Sequence, residues 1–261
     1  MDLQRVAHLI ADAARPVTLR YFRQVGLTAE NKASDHFDPV TAADRAAEEA
    51  MRAVVAAERP NDGILGEEFG VTPGTSGLTW VFDPIDGTRG YISGTPTWGV
   101  LISVADETGP LMGIIDQPYI GERFVGGFAA AKCVGPQGER LLKCRNTASL
   151  SEATILTTFP EVGTPEEGRA FHAVASQAKL TRYGMDCYGY ALVASGQVDL
   201  VIEAGLAPYD IQAPIAVIQA AGGVCTNWRG GAAHHGGQVI AAANADIHAE
   251  ALAILQSSLA D

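Results

Sequence analysis

The chain is short of positive charge. Its 261 residues include 18 lysines and arginines against 30 aspartates and glutamates, a formal charge of −12. A surface of that sign lacks the basic patches that grip a nucleic-acid backbone, so no nucleic-acid partner is expected. No run of about 18 uninterrupted apolar residues occurs, so no membrane span is expected either. The opening residues, Met1-Asp2-Leu3-Gln4-Arg5, lack a basic stretch followed by an apolar core. A secretory leader is therefore not expected, and the cytoplasm is the expected location. Cysteine is scarce: Cys133, Cys144, Cys187 and Cys225 are the four, and none forms a C-x-x-C pair. That argues against a zinc knuckle or a dithiol redox motif and for four reduced structural thiols. Internal repeats and low-complexity segments are also missing.

What remains is an ordinary globular balance. Hydrophobic residues make up 47% and charged residues 18%, enough apolar surface for a core. Leu3, Val6, Ala7, Ile10, Ala13 and Ala14 fall on one face of a helix expected over 3–22. A second helix is expected from Thr41, which can cap it, with Asp44 suited to its positive end. Strands are expected at 63–66, 78–82, 98–105, 111–117 and 122–128, with a turn at 106–110 joining two of them as a hairpin. Beyond them, strands at 152–158, 198–202 and 239–243 alternate with helices at 166–179, 188–195, 210–221 and 245–259. That alternation suggests a layered α/β half. The chain is accordingly divided into residues 1–145, an α+β half holding the metal site, and residues 146–261, an α/β half completing the pocket, with the join near 143–150.

Four acidic clusters stand at strand ends or helix starts, where α/β proteins place ligands. In Asp83-Pro84-Ile85-Asp86-Gly87-Thr88, Pro84 keeps Asp83 extended, and both aspartates can point to one spot with the Ile85 carbonyl between them. Oxygen-rich clusters of this kind suit hard cations such as magnesium, although Asp-Pro and Asp-Gly are equally turn dipeptides. Gly66-Glu67-Glu68 ends a short strand, and its adjacent carboxylates repel unless a cation intervenes or one turns away into solvent. Asp38-Pro39-Val40-Thr41-Ala42-Ala43-Asp44 opens the second helix, and Pro208-Tyr209-Asp210-Ile211-Gln212-Ala213 opens another; capping alone explains either. Glu203 lies seven residues before Asp210, at the end of an apolar strand. Together the clusters are what phosphate-ester hydrolysis requires: cations to neutralise phosphate, and carboxylates to hold them.

In order, Gly66-Glu67-Glu68, Asp83-Pro84-Ile85-Asp86-Gly87-Thr88 and Tyr209-Asp210-Ile211-Gln212-Ala213 resemble the three signatures of the inositol monophosphatase superfamily, lithium-sensitive, magnesium-dependent phosphatases. The resemblance covers about 7–255, with one departure: Tyr209 stands where the family usually has Trp. It implies a five-layered α-β-α-β-α sugar-phosphatase fold, two sheets sandwiched with helices, and a homodimer. Carried over by position, Glu67, Asp83 and the Ile85 carbonyl resemble ligands of a first magnesium, and Asp83, Asp86 and Asp210 ligands of a second. Glu67 and, through water, Asp44 resemble the site of a weaker third, so two to three ions are expected. Gly87 and Thr88 resemble the phosphate-contacting pair, with Thr88 also touching the attacking water. Glu67, Thr88 and Asp44 are thus the expected catalytic residues, and Lys32 is a further residue expected to approach the site.

Within the superfamily, the stretches 87–102, 186–191 and 201–210 look like the histidinol-phosphate phosphatase branch. By that likeness Asp186 and Glu203 flank the substrate, with Gly87, Thr88 and Asp210. A carboxylate pair complements the ammonium group of L-histidinol phosphate, whereas Asp186 could instead cap the helix after it. The expected reaction is hydrolysis of L-histidinol phosphate, a step of histidine biosynthesis, by direct attack of a metal-activated water. The alternatives are another small phosphomonoester of the superfamily, such as inositol 1-phosphate or a sugar or nucleotide phosphate, and a non-catalytic metal-binding interaction protein.

Overall fold

Most of the apolar stripe near the start folds as expected: Val6, Ala7, Ile10 and Ala14 are buried on helix α1 (Asp2–Tyr21), joined by Ala11, whereas Leu3 and Ala13 are only half-buried. A computed structural model describes residues 2–24, 30–31, 39–128 and 130–260; Lys32 and Asp38 lie outside the described residues. In chain order there follow the short strands β1 (Glu30–Asn31) and β2 (Pro39–Val40), helix α2 (Ala42–Glu58), and strands β3 (Gly63–Gly66), β4 (Gly70–Thr72) and β5 (Thr79–Asp86). A single-turn helix, α3 (Thr88–Ile92), leads into strands β6 (Gly99–Asp106), β7 (Gly109–Gln117), β8 (Glu122–Gly127), β9 (Ala130–Gly135) and β10 (Gly138–Leu141). The second half contains β11 (Thr154–Thr157), α4 (Pro165–Ala175), β12 (Leu180–Tyr183), α5 (Asp186–Ala194) and β13 (Leu200–Leu206). It closes with α6 (Pro208–Ala220), β14 (Val224–Thr226), β15 (Gly237–Ala242) and α7 (Ala245–Ala260).

Among the described residues, β10-β9-β8-β7-β6-β5-β3-β4 form one sheet and β12-β11-β13-β15-β14 a second. Side-chain alternation decides what each face meets. In β6, Val100, Ile102 and Val104 turn toward α1 and α2, while Leu101 joins Ile115 and Phe124 on the opposite face against α5 and α6. In the second sheet, Val201, Val239 and Ala241 face α5 and α6, while Leu200, Ile202, Ile240 and Ala242 face α4 and α7. The result is the expected five layers, helices–sheet–helices–sheet–helices. Helices α5 and α6 are buried on both sides, so their sequences are apolar nearly all round.

Several boundaries differ from expectation for physical reasons. The strand expected to stop before Asp83 continues to Asp86 through a bulge, described below. The helix expected to 179 ends at Ala175, and 180–183 pairs beside β11 as the outermost strand β12. That strand, β4 and β10 lie at sheet edges with much of their surface exposed, so they show no apolar alternation to read.

Helix α1 is fastened to the first sheet by charge as well as by its apolar face. Asp116 of β7, fully buried, accepts from Arg15 Nε (3.0 Å) and Nη2 (2.6 Å), and from Arg123 Nε of β8 (2.6 Å). Arg123 in turn donates to Asp12 of α1. Removing the central carboxylate takes from Arg15 and Arg123 their shared buried counter-ion and leaves Arg123 only the largely exposed Asp12. Asp116→Ala is therefore expected to cost about 3–5 kcal/mol of folding stability, read from urea unfolding; a loss of less than about 1 kcal/mol would mean the pair is merely surface-like.

Candidate active site

The cleft is built from the ends of strands. Spaced three residues apart, Asp83 and Asp86 would leave opposite faces of a regular strand. The pairing with β6 shows why they do not: Asp83 lies opposite Leu101 and Asp86 opposite Gly99, so β5 holds one extra residue. This bulge resets the alternation, and bulges are also where a strand accommodates proline, here Pro84. The Asp83 carboxylate closes the turn by accepting from Ile85 N (2.9 Å). Asp210 arrives from the second half. It is not the cap of α6 but its third residue, reaching back to accept from Ala207 N (2.7 Å). One ligand oxygen from each of Asp83, Asp86 and Asp210 then lies within 4.8 Å of the others.

Glu67, Asp83, Ile85, Asp86, Gly87, Thr88, Asp186, Glu203 and Asp210 all line one cleft of about 390 Å³. Nine of the ten sequence-nominated site residues that are described therefore meet in one place. The tenth, Asp44, is buried behind Thr88, whose hydroxyl stands 3.5 Å from Asp44 Oδ1 and 3.1 Å from the Ile85 carbonyl. Asp44 Oδ2 accepts from Thr41 N (2.8 Å) and Thr41 Oγ1 (2.6 Å), completing the capping box of α2. Glu67, not Glu68, faces the cleft, which removes the repulsion expected of the adjacent pair. His234 and His235 stack on each other outside this cleft.

Gly87 has φ +85° and opens α3; a Cβ there would sit 2.6 Å from Asp186 Cγ, so both its backbone and its surroundings require glycine. Tyr91 of α3 anchors the turn, donating to Thr18 O (2.6 Å) and packing its ring against Phe22 and Trp98.

Asp186 does not cap α5. Its own φ is +46°, a left-handed conformation that Asp tolerates better than most residues, and its carboxylate accepts instead from Thr97 Oγ1 (3.1 Å). The α5 amide of Cys187 is met by Asp86 Oδ2 at 2.6 Å. Opposite, Glu203 is held on both oxygens: Oε1 accepts from Thr158 N (3.0 Å) and Thr158 Oγ1 (2.5 Å), and Oε2 from Tyr190 OH (2.7 Å). Sequence reasoning did not single out Thr158 or Tyr190 for this task. Their signal was positional only: Thr158 follows β11, whose parallel neighbour β13 carries Glu203. Arg89 and Phe159 were also missed; the guanidinium lies 4.7 Å over the ring, and both line the cleft.

The electrostatics fit a cation. Desolvation first, then repulsion from Glu67, Asp86 and Asp210, holds Asp83 well above the usual carboxylate range. Desolvation followed by repulsion from Asp210 and Asp186 does the same to Asp86. Asp210 is pushed up to about 7, chiefly by burial against the opposing help of the Ala207 amide. Asp44 is pushed up to about 6, again chiefly by burial, with the Thr41 hydrogen bonds working the other way. Carboxylates gathered so that each resists ionising are the donor set of a hard cation, whose charge reverses such shifts.

The sequence profile of the inositol monophosphatase family matches residues 2–260. The chloroplastic bifunctional phosphatase IMPL2 of Arabidopsis thaliana is 39% identical over 262 residues, covering 96% of this chain and 74% of its own length. A histidinol-phosphatase of Streptomyces coelicolor is 36% identical over 263 residues, covering 98% and 97% respectively. Among solved structures, an inositol monophosphatase from Zymomonas mobilis matches with a TM-score of 0.85 at 36% identity, covering 97% of this chain and 96% of that one.

The raised carboxylates fix the sign of a pH effect. A folded-state pKa above the unfolded value of 3.8 means that folding retains protons the unfolded chain releases. That contribution is complete below about 3.8 and is lost as pH rises past the values near 6 and 7 for Asp44 and Asp210. The metal-free protein is therefore expected to melt at a lower temperature at about pH 8 than at about pH 5, and a divalent cation that occupies the cluster is expected to restore the loss. Scanning calorimetry with chelator and with magnesium checks this; a melting temperature that rises with pH in chelator would contradict it.

Proposed function

From the premise that the chain belongs to the inositol monophosphatase family and is a metal-dependent phosphatase, we propose that it hydrolyses L-histidinol phosphate to L-histidinol and phosphate. The observation that carries this reading is the pair Asp186 and Glu203, two carboxylates on the wall of the cleft that also holds the Asp83–Asp86–Asp210 cluster. An inositol ring presents only neutral hydroxyls to such a wall. Histidinol phosphate presents an ammonium group, the charge that a desolvated carboxylate pair favours. Burial raises the pKa of Asp186 and of Glu203, and a cationic substrate beside them offsets that cost.

Asp83, Asp86 and Asp210, with Glu67 and the Ile85 carbonyl, are the residues that hold magnesium in this reading. When bound, magnesium supplies positive charge to the phosphoryl oxygens and leaving oxygen and lowers the pKa of water. Gly87 and Thr88 contact the phosphate at the start of α3. The Thr88 hydroxyl, donating toward Asp44 or the Ile85 carbonyl, keeps a lone pair to orient the attacking water. Asp44, 3.5 Å from that hydroxyl, is placed to accept a proton through it. Glu203 cannot swing away while Thr158 and Tyr190 hold both its oxygens. The homodimer that the resemblance implies is part of the same reading.

Three outcomes are expected. First, Asp83→Asn lowers turnover about a hundredfold or more while circular dichroism stays unchanged; near wild-type turnover at saturating magnesium would remove Asp83 from the ligand set. Second, phosphate release is expected to favour histidinol phosphate over inositol 1-phosphate by roughly a hundredfold in kcat/KM, about 3 kcal/mol. Asp186→Asn, chosen because Asn tolerates the left-handed backbone at this position, is expected to cost histidinol phosphate about 1.5–3 kcal/mol, roughly ten- to a hundredfold, and to spare inositol 1-phosphate. A preference for inositol 1-phosphate, the substrate class suggested by the Zymomonas mobilis structure's name, would keep the phosphatase chemistry and overturn the role given to Asp186.

A further inference from the structure

We infer that Glu48, with Arg52, is a positioning residue that sets the metal affinity of the cleft by fixing the loop carrying Glu67. The inference rests on the metal-holding role proposed above for Glu67. Glu48 is fully buried on α2 and makes no contact with the three-carboxylate cluster that the structure records. Its carboxylate faces the turn between β3 and β4 instead. Oε2 accepts from Glu68 N at 2.7 Å and Oε1 from Phe69 N at 3.2 Å. These are the two amides directly after Glu67. The residue before Glu67 closes the clamp: a Cβ on Gly66 would lie 1.9 Å from Glu48 Oε1. Glu67 is thus held between a glycine pressed against Glu48 and two amides bonded to it.

Arg52, one helical turn on, completes the device. Its Nε donates to Glu48 Oε1 (2.7 Å), its Nη2 to Gly70 O (2.5 Å) and its Nη1 to Thr72 Oγ1 (2.9 Å), and its guanidinium lies over the Phe69 ring. The bonded guanidinium keeps the Glu48 carboxyl group aimed at the turn, and the fork ties β4 to the same helix. A buried carboxylate held this way orients its neighbour as a partner behind a metal ligand does, and loss of such partners typically weakens metal binding about 10–100-fold.

The test is magnesium titration by calorimetry, with the metal as sole ligand, together with the magnesium concentration giving half-maximal phosphate release. Glu48→Gln places an amide NH₂ against an N–H or the guanidinium and is expected to weaken magnesium binding about tenfold or more, with kcat at saturating magnesium within a few-fold of wild type. The control is Asp62→Asn. Asp62 precedes the other end of β3, is also buried, and accepts from Arg59 and Trp80. Its loss is expected to lower the melting temperature and leave magnesium affinity unchanged. Should Glu48→Gln not accumulate as folded protein, Arg52→Lys keeps the charge, loses the fork to Gly70 and Thr72, and is expected to weaken magnesium binding several-fold. Wild-type affinity in Glu48→Gln or in Arg52→Lys, or a loss no greater than in Asp62→Asn, would overturn the inference. If wild-type protein itself binds no magnesium, the metal reading falls and takes this inference with it; if wild type binds and the variants match it, the inference alone falls.

Discussion

Three carboxylates with oxygens held within 4.8 Å of one another repel, and the architecture around the cleft is the means of keeping them there. Asp83 and Asp86 come from one strand and Asp210 from a helix of the other half of the chain. None of the three is free to swing to solvent. Asp83 is tied to the Ile85 amide, Asp86 to the Cys187 amide and Asp210 to the Ala207 amide. Each backbone N–H lowers the cost of a charge that burial raises, so the fold supports an arrangement that local electrostatics opposes. The stability lost at such a site is recovered in the layers, where α5 and α6 bury apolar side chains against both sheets.

The two sheets meet this demand differently. The first is largely antiparallel, but β3 and β5 pair parallel, and that pairing brings Glu67, just after β3, and Asp83 of β5 to neighbouring positions. The second has β11 parallel to β12 and β13, with helices as the connections. Its contribution comes from the side of the carboxyl ends, where open α/β sheets collect ligands: Thr158 just after β11, and Glu203 in the middle of β13, where the strand expected to end there continues through an irregularity to Leu206. Asp210 follows at the start of α6, the helix that then crosses the face of the first sheet.

Much of this was legible in the sequence where one physical signal acted alone. The helical steps of α1 and α2, the cap at Thr41, and the hairpin turn between β6 and β7 each depend on residues close together in the chain. Edge strands such as β4, β10 and β12 were not legible, because a strand exposed on its outer side has little apolar contrast. The continuation of β5 through Pro84 was hidden, because the proline reads as a stop unless the bulge is known. The acidic motifs were found, yet the side chains that steady them were not. Glu48 meets its partner amides 20 and 21 residues away, and Thr158 meets Glu203 across 45. No local pattern encodes such a pairing.

Helix α2 carries Asp44 in its first turn and Glu48 one turn later, on the same side. One stands behind the Thr88 hydroxyl and the other beneath the Glu67 turn. Their relative direction is set only by the number of residues between them, since each residue turns the helix by about 100°. A single insertion or deletion between 44 and 48 would send one of them to the wrong side of the helix, whatever residue was added or lost. The spacing of these two acids is therefore a constraint separate from the packing that already restricts buried Ala47 between them, and this stretch of α2 is one where the chain does not tolerate a change of length.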